Sequence, residues 1–124
     1  PGVVAAGDVV LLPTPAGPVR TPLWTNALDQ GKAAAMTLLV PESGPAYQAR
    51  PYFWTEQFGL SIKVCGTIPG ETSPVVVTGD RAGRALVLQW SSGGVPVAAA
   101  TVNHRMPVAR LRRLATAEPT LSPQ

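Results

Sequence analysis

Fourteen prolines and twelve glycines in 124 residues forbid long uninterrupted elements, since proline cannot donate to a ladder and glycine loses conformational freedom in one. The best helix is TPLWTNALDQGKAAAMTLLV, from Thr21 to Val40, ended by Pro41. Thr21 is the expected N-cap and Pro22 the first helical position, where a missing N–H is no loss. Trp24, Ala27, Leu28, Gly31, Ala34, Ala35, Leu38 and Leu39 recur at helical spacing. Gly31 costs about 1 kcal/mol relative to alanine inside a helix, which reads as close approach by another element.

Around that helix the pattern is strand-like. Val3–Ala6 is a short apolar run stopped by Gly7–Asp8, the signature of a buried strand ending in a turn. Leu11–Arg20 is a Pro-rich loop, and PESGPAYQARP is a linker candidate. Leu60, Ile62 and Val64 then alternate with Ser61, Lys63 and Cys65, and Val75–Thr78 is a further β-type run. Ser91–Gly94 (SSGG) separates Ala85–Trp90 from Val95–Val102, which predicts a hairpin. Pro107–Ala117 predicts a short amphipathic helix with Val108, Leu111 and Leu114 on one face and Arg110, Arg112 and Arg113 largely off it. The expected class is α+β. Residues 1–45 supply a strand, a loop and a helix, and residues 46–124 supply an antiparallel sheet with a flanking helix.

Several function classes drop out. Ten basic against seven acidic residues give a net charge of +3, too small an excess to argue for nucleic acid, though it suits an acidic protein partner. Cys65 stands alone, so no disulfide, dithiol pair or Cys-based zinc site can form within the chain, in keeping with a cytoplasmic location. No apolar run approaches the roughly 20 residues that cross a bilayer. His104, between Asn103 and Arg105, has no acid or metal partner in the sequence pattern and is expected to be structural or at the surface. No G-x-G-x-x-G loop is present. The chain opens on PGVVAAGD without Met, as though continued from something longer.

Three features can carry chemistry. Gly7 allows close approach of a ligand to the backbone, and the Asp8 carboxylate can accept hydrogen bonds from hydroxyls; the same two residues also suit a plain strand-ending turn. The helix start at Leu23–Trp24 presents backbone N–H groups that lack partners inside the helix to a ligand carbonyl that becomes anionic on reduction, or else Trp24 simply packs into a core. Finally, five of the seven aromatic residues (Tyr47, Tyr52, Phe53, Trp54 and Phe58) fall within twelve positions. In PYFWTEQFG one side has to face a core and the other a site or interface. Trp54 can pack beside a planar cofactor with Glu56 and Gln57 near its rim, or the cluster can mark a domain junction.

Taken in order, VVAAGD, RTPLWTNALDQGKAAA, RPYFWTEQFGLSIKVCG and AAATVNH closely resemble the C-terminal portion of the FAD-dependent ferredoxin reductases that serve cytochrome P450s and ring-hydroxylating dioxygenases. The resemblance covers nearly all of residues 1–115, and its most specific block is P-Y-F-W-T-E-Q-F. It implies that Gly7 and Asp8 lie at the ribityl chain of FAD, that the Trp24 backbone lies near the flavin pyrimidine, and that Trp54 sits close to the isoalloxazine ring. It also implies that residues 1–45 end an α/β FAD-binding domain and that the FAD and NAD fingerprints precede residue 1. NAD(P)H would be the electron source and a [2Fe–2S] ferredoxin the acceptor, and the fragment alone is expected to be inactive. One departure is Pro22, where relatives commonly carry Glu; the helix start survives and that carboxylate's contact does not. The alternative is a free-standing binding or dimerisation module without redox activity.

Overall fold

Residues able to take a positive φ decide where the strands turn. The computed structural model describes residues 2–14, 17–40 and 47–116, and the chain divides between Tyr52 and Phe53 into two compact units. Strands β1 (Tyr52–Gln57), β2 (Leu60–Gly66), β3 (Val75–Asp80), β4 (Ala85–Ser92) and β5 (Val95–Val102) form one five-stranded antiparallel sheet in the order β1-β2-β5-β4-β3. The predicted hairpin is present: β4 and β5 join through Gly93 and Gly94, with φ of 58° and 80°, the backbone a type I′ turn requires. Phe58 and Gly59 join β1 to β2 in the same way, with φ of 53° and 71°. A phenylalanine in that region is unusual, and the residue is 92% exposed.

Strand register sorts the side chains onto two faces. Ile62, Val102 and Leu86 share one face with Val64, Ala100 and Leu88 and with Gly66, Ala98 and Trp90. There Trp90 packs against Val64, Ala98 and Ala100, the alanines making room for the indole. The opposite face carries Cys65, Ala99, Thr101 and Val87, all buried. Helix α2 (Val108–Leu114) lies against β2 and β5. Its Leu111 is fully buried, and its Leu114 carbonyl accepts a 2.7 Å hydrogen bond from Gln89 Nε2. Arg110, Arg112 and Arg113 are exposed, as their off-face positions predict.

At the far edge, β3 exposes Val75, Val76 and Val77 in succession. Its pairing with β4 shifts between Val76 and Thr78, and Gly79 takes a φ of 81°. These irregularities kink the edge strand.

The other unit holds helix α1 (Trp24–Leu39). Three expectations fail here. Val3–Ala6 is not a strand and is exposed, because a strand needs a ladder and the described residues offer it none. Thr21 is not the N-cap: the helix starts from Leu23 without a side-chain cap, and the Thr21 carbonyl instead accepts hydrogen bonds from Leu23 N (2.9 Å) and Asn26 Nδ2 (2.8 Å). Those two bonds hold Thr21–Leu23 as a turn ahead of the helix. Gly31 is exposed with no non-local atom within 4 Å of where a Cβ would stand, so no element among the described residues approaches it.

Cys65 is the one cysteine, 1% exposed. Burial pushes its thiol above the ordinary 9.0, and the neighbouring Arg112 pulls the other way without winning. The raised pKa means the folded state keeps its proton longer than the unfolded chain does. Its contribution to stability is therefore complete below pH 9 and is lost as pH rises through the folded-state value. Cys65 should react with a thiol reagent at pH 8 on the order of a hundredfold more slowly in native protein than in urea. Equal rates would mean that the β2–α2 contact opens readily.

Candidate functional site

In the first unit α1 buries two amide side chains, and its large apolar ones are exposed. Asn26 and Gln30, one helical turn apart, are the buried residues of the helix. Asn26 Oδ1 accepts the Tyr47 hydroxyl at 2.7 Å, and burial together with the Asp29 charge pushes the Tyr47 hydroxyl pKa upward. Gln30 Oε1 accepts the Gly7 N–H at 2.6 Å. Trp24, Leu28, Met36, Leu38 and Leu39 are exposed. The helical apolar periodicity is real, but the described residues leave the face it marks uncovered.

Gly7 and Asp8 sit in a turn closed by Val10 N donating to Gly7 O at 3.1 Å. Gly7 takes a φ of 87°, and a Cβ added there would meet only Ala27 Cβ, at 3.9 Å. The demand for glycine is conformational rather than steric. Asp8 is exposed. The turn thus lies against α1 at Ala27 and Gln30, one to two helical turns after Trp24. Trp24 itself is 67% exposed among the described residues.

Trp54 belongs to the second unit, on edge strand β1, and is 51% exposed. The strand lacks simple alternation, with Tyr52 and Thr55 half-buried and Phe53, Trp54, Glu56 and Gln57 exposed. Beside it, a depression of about 360 Å³ is lined by Glu56, Gln57, Phe58, Leu60, Ser61 and Asn103. Asn103 shapes it. In a left-handed backbone of φ 47°, its N donates to Ser61 O at 2.8 Å while its Oδ1 accepts Ser61 N at 2.8 Å. Gly7, Asp8 and Trp24 are thus described within one unit and Trp54 within the other. Among the described residues no cluster of His, Cys, Asp and Glu could hold a metal ion, and no helix is long and apolar enough to cross a membrane.

Gln30 and Asn103 escaped the sequence reading. The signal available for Gln30 was an amide pair, Asn26 and Gln30, at i,i+4 inside an otherwise apolar helix pattern. Asn103 carried no local signal, because its partner Ser61 is 42 residues away.

Residues 52–124, the sheet unit with α2, match the family model described as Reductase C-terminal. The chain belongs to this family. Relatives include apoptosis-inducing factor 3 of Homo sapiens, 34% identical over 84% of this chain and 17% of that protein. The 3-phenylpropionate/cinnamic acid dioxygenase ferredoxin–NAD(+) reductase component of Photorhabdus laumondii is 31% identical over 92% of this chain and 28% of its own length. Among solved structures, the covalent putidaredoxin reductase–putidaredoxin complex aligns with a TM-score of 0.69 and 25% identity, covering 89% of this chain and 26% of that one. This Reductase C-terminal chain therefore spans less than a third of the length of these relatives.

Proposed function

We propose that the chain is the C-terminal part of a flavoprotein that passes electrons from NAD(P)H through FAD to a [2Fe–2S] ferredoxin feeding a cytochrome P450 or a ring-hydroxylating dioxygenase. Residues 1–45 then end its FAD-binding domain and residues 46–124 are its reductase C-terminal domain, working in the cytoplasm. The observation that carries this reading is the family match over residues 52–124, joined to a relative named as a ferredoxin–NAD(+) reductase component.

The residues present fit a flavin nucleotide. Asp8 offers an exposed carboxylate on a hydrogen-bonded turn to accept hydrogen bonds from hydroxyls, and the start of α1 has no side-chain cap or first-turn acid to compete with a ligand oxygen. Trp24 and Trp54 expose large planar surfaces of the kind that lies along an aromatic ring. In this reading Gly7 and Asp8 hold the ribityl chain, the Trp24 backbone receives the pyrimidine edge, and Trp54 shields the ring from water. When bound, FAD supplies the conversion between hydride and single-electron transfer.

The test is made on the full-length protein. It should purify with stoichiometric FAD and reduce a [2Fe–2S] ferredoxin at the expense of NADH or NADPH. A colourless full-length protein that forms only complexes would favour the binding module instead. In the same assay Arg110→Gln/Arg113→Gln should slow association with an acidic ferredoxin roughly three- to tenfold at low salt and flatten its salt dependence. Arg112 is left in place because it faces the Cys65 thiol. Reduction of a small dye acceptor should stay near normal, and an equal loss with dye and ferredoxin would assign α2 a purely structural role.

A further inference from the structure

Gln30 is 4% exposed and only half satisfied. Its Oε1 accepts the Gly7 N–H at 2.6 Å, while its Nε2 is buried without a hydrogen-bond partner among the described residues. An apolar side chain of similar size would avoid that orphaned donor, so packing alone does not explain a glutamine here. What glutamine provides is the oxygen that meets Gly7. The segment Gly2–Val10 forms no strand, and most of it is exposed. Among the described residues the Gly7–Gln30 bond is its one hydrogen bond to α1. Gly7 is also the residue whose left-handed φ of 87° sets the direction of the next peptide, and the next residue is Asp8.

We propose that Gln30 is a positioning residue: its side-chain oxygen fixes the Gly7 peptide and thereby aims the Asp8 carboxylate at the hydroxyls of its ligand. The proposal rests on the reading of Asp8 as a flavin-nucleotide ligand. Gln30 touches no ligand itself. The unsatisfied Nε2 is the stability given up to keep an acceptor at this position.

The experiment compares Gln30→Leu and Gln30→Glu in the full-length protein, with two readouts. Hydrogen exchange of the peptide spanning Ala6–Val10 in the apo form reports the hold on the turn, whatever the ligand. Titration of the apo-protein with FAD reports the consequence. Gln30→Leu should speed exchange of the Gly7 amide about tenfold and raise the FAD dissociation constant about tenfold. Gln30→Glu, which keeps an oxygen opposite Gly7, should restore both to within about threefold of the parent. If Gln30→Leu does not fold, Gln30→Met is held to the same readings.

Unchanged exchange in the apolar variant, or fast exchange in Gln30→Glu, overturns the positioning role. Fast exchange with unchanged FAD affinity overturns the link to the ligand. In that case Asp8→Ala tells the two failures apart: if it weakens FAD, the flavin reading stands without Gln30, and if it does not, that reading falls as well.

Discussion

Gly66→Ala should destabilise the sheet unit by about 3 kcal/mol or more, enough to remove a large part of an ordinary domain's stability. Gly66 ends β2 with a φ of 83°, and a Cβ there would collide with the Val97 carbonyl and stand 2.9 Å from Ala98 Cα. The left-handed backbone alone costs an alanine roughly 1–2 kcal/mol. The collision adds to this because it is with backbone, which no rotamer change can relieve. Nor can β5 retreat, since it is central in the sheet and Ala98, Ala99 and Ala100 are buried. Gly59→Ala is the control, with a φ of 71° and nothing within 4 Å of the added carbon; it should cost only the backbone term, about 1–2 kcal/mol. Urea unfolding followed by far-ultraviolet circular dichroism separates them. Equal midpoints for the two variants would show that the contact between β2 and β5 is looser than the structure describes.

Asp8→Ala should weaken FAD binding by the full-length protein by about 1.5–3 kcal/mol, roughly ten- to over a hundredfold, through the loss of charge-assisted hydrogen bonds to hydroxyls. Because Asp8 is exposed, its removal should leave the unfolding midpoint of the apo-protein unchanged, so a binding loss cannot be mistaken for misfolding. Asp8→Asn, which keeps an acceptor without the charge, should fall between parent and alanine. Identical titration curves for parent and alanine variant would take Asp8 out of the site.

The sheet was legible where the sequence carried its own partners. Leu60, Ile62 and Val64 line one face of β2, Gly93–Gly94 supplies the two positive-φ positions of a tight hairpin, and Leu111 belongs to an apolar stripe that its own unit covers. Legibility failed where the deciding group lies elsewhere. Val3–Ala6 is apolar enough for a strand, yet no pattern within it says whether a ladder awaits it. The periodicity of α1 was read correctly, but periodicity gives a face and not its cover, and the buried positions proved to be Asn26 and Gln30. Phe58 could not be placed in a turn because the residue type argues against a positive φ. In the candidate site, Gly7, Asp8, Trp24 and Trp54 were visible as chemical types. Gln30 was not, since an amide's role is set by the backbone group it faces, here 23 residues away.

The kinked edge at β3 bears on how the protein behaves in concentrated solution. Val75, Val76 and Val77 stand exposed at the end of the sheet, and a straight run of this kind is a template on which further chains can stack into filaments. The register break between Val76 and Thr78, followed by the left-handed Gly79, denies an incoming strand a regular row of donors and acceptors. The irregularity of β3 thus guards this edge, and a change that regularised the ribbon should promote stacking of chains on it without touching the core.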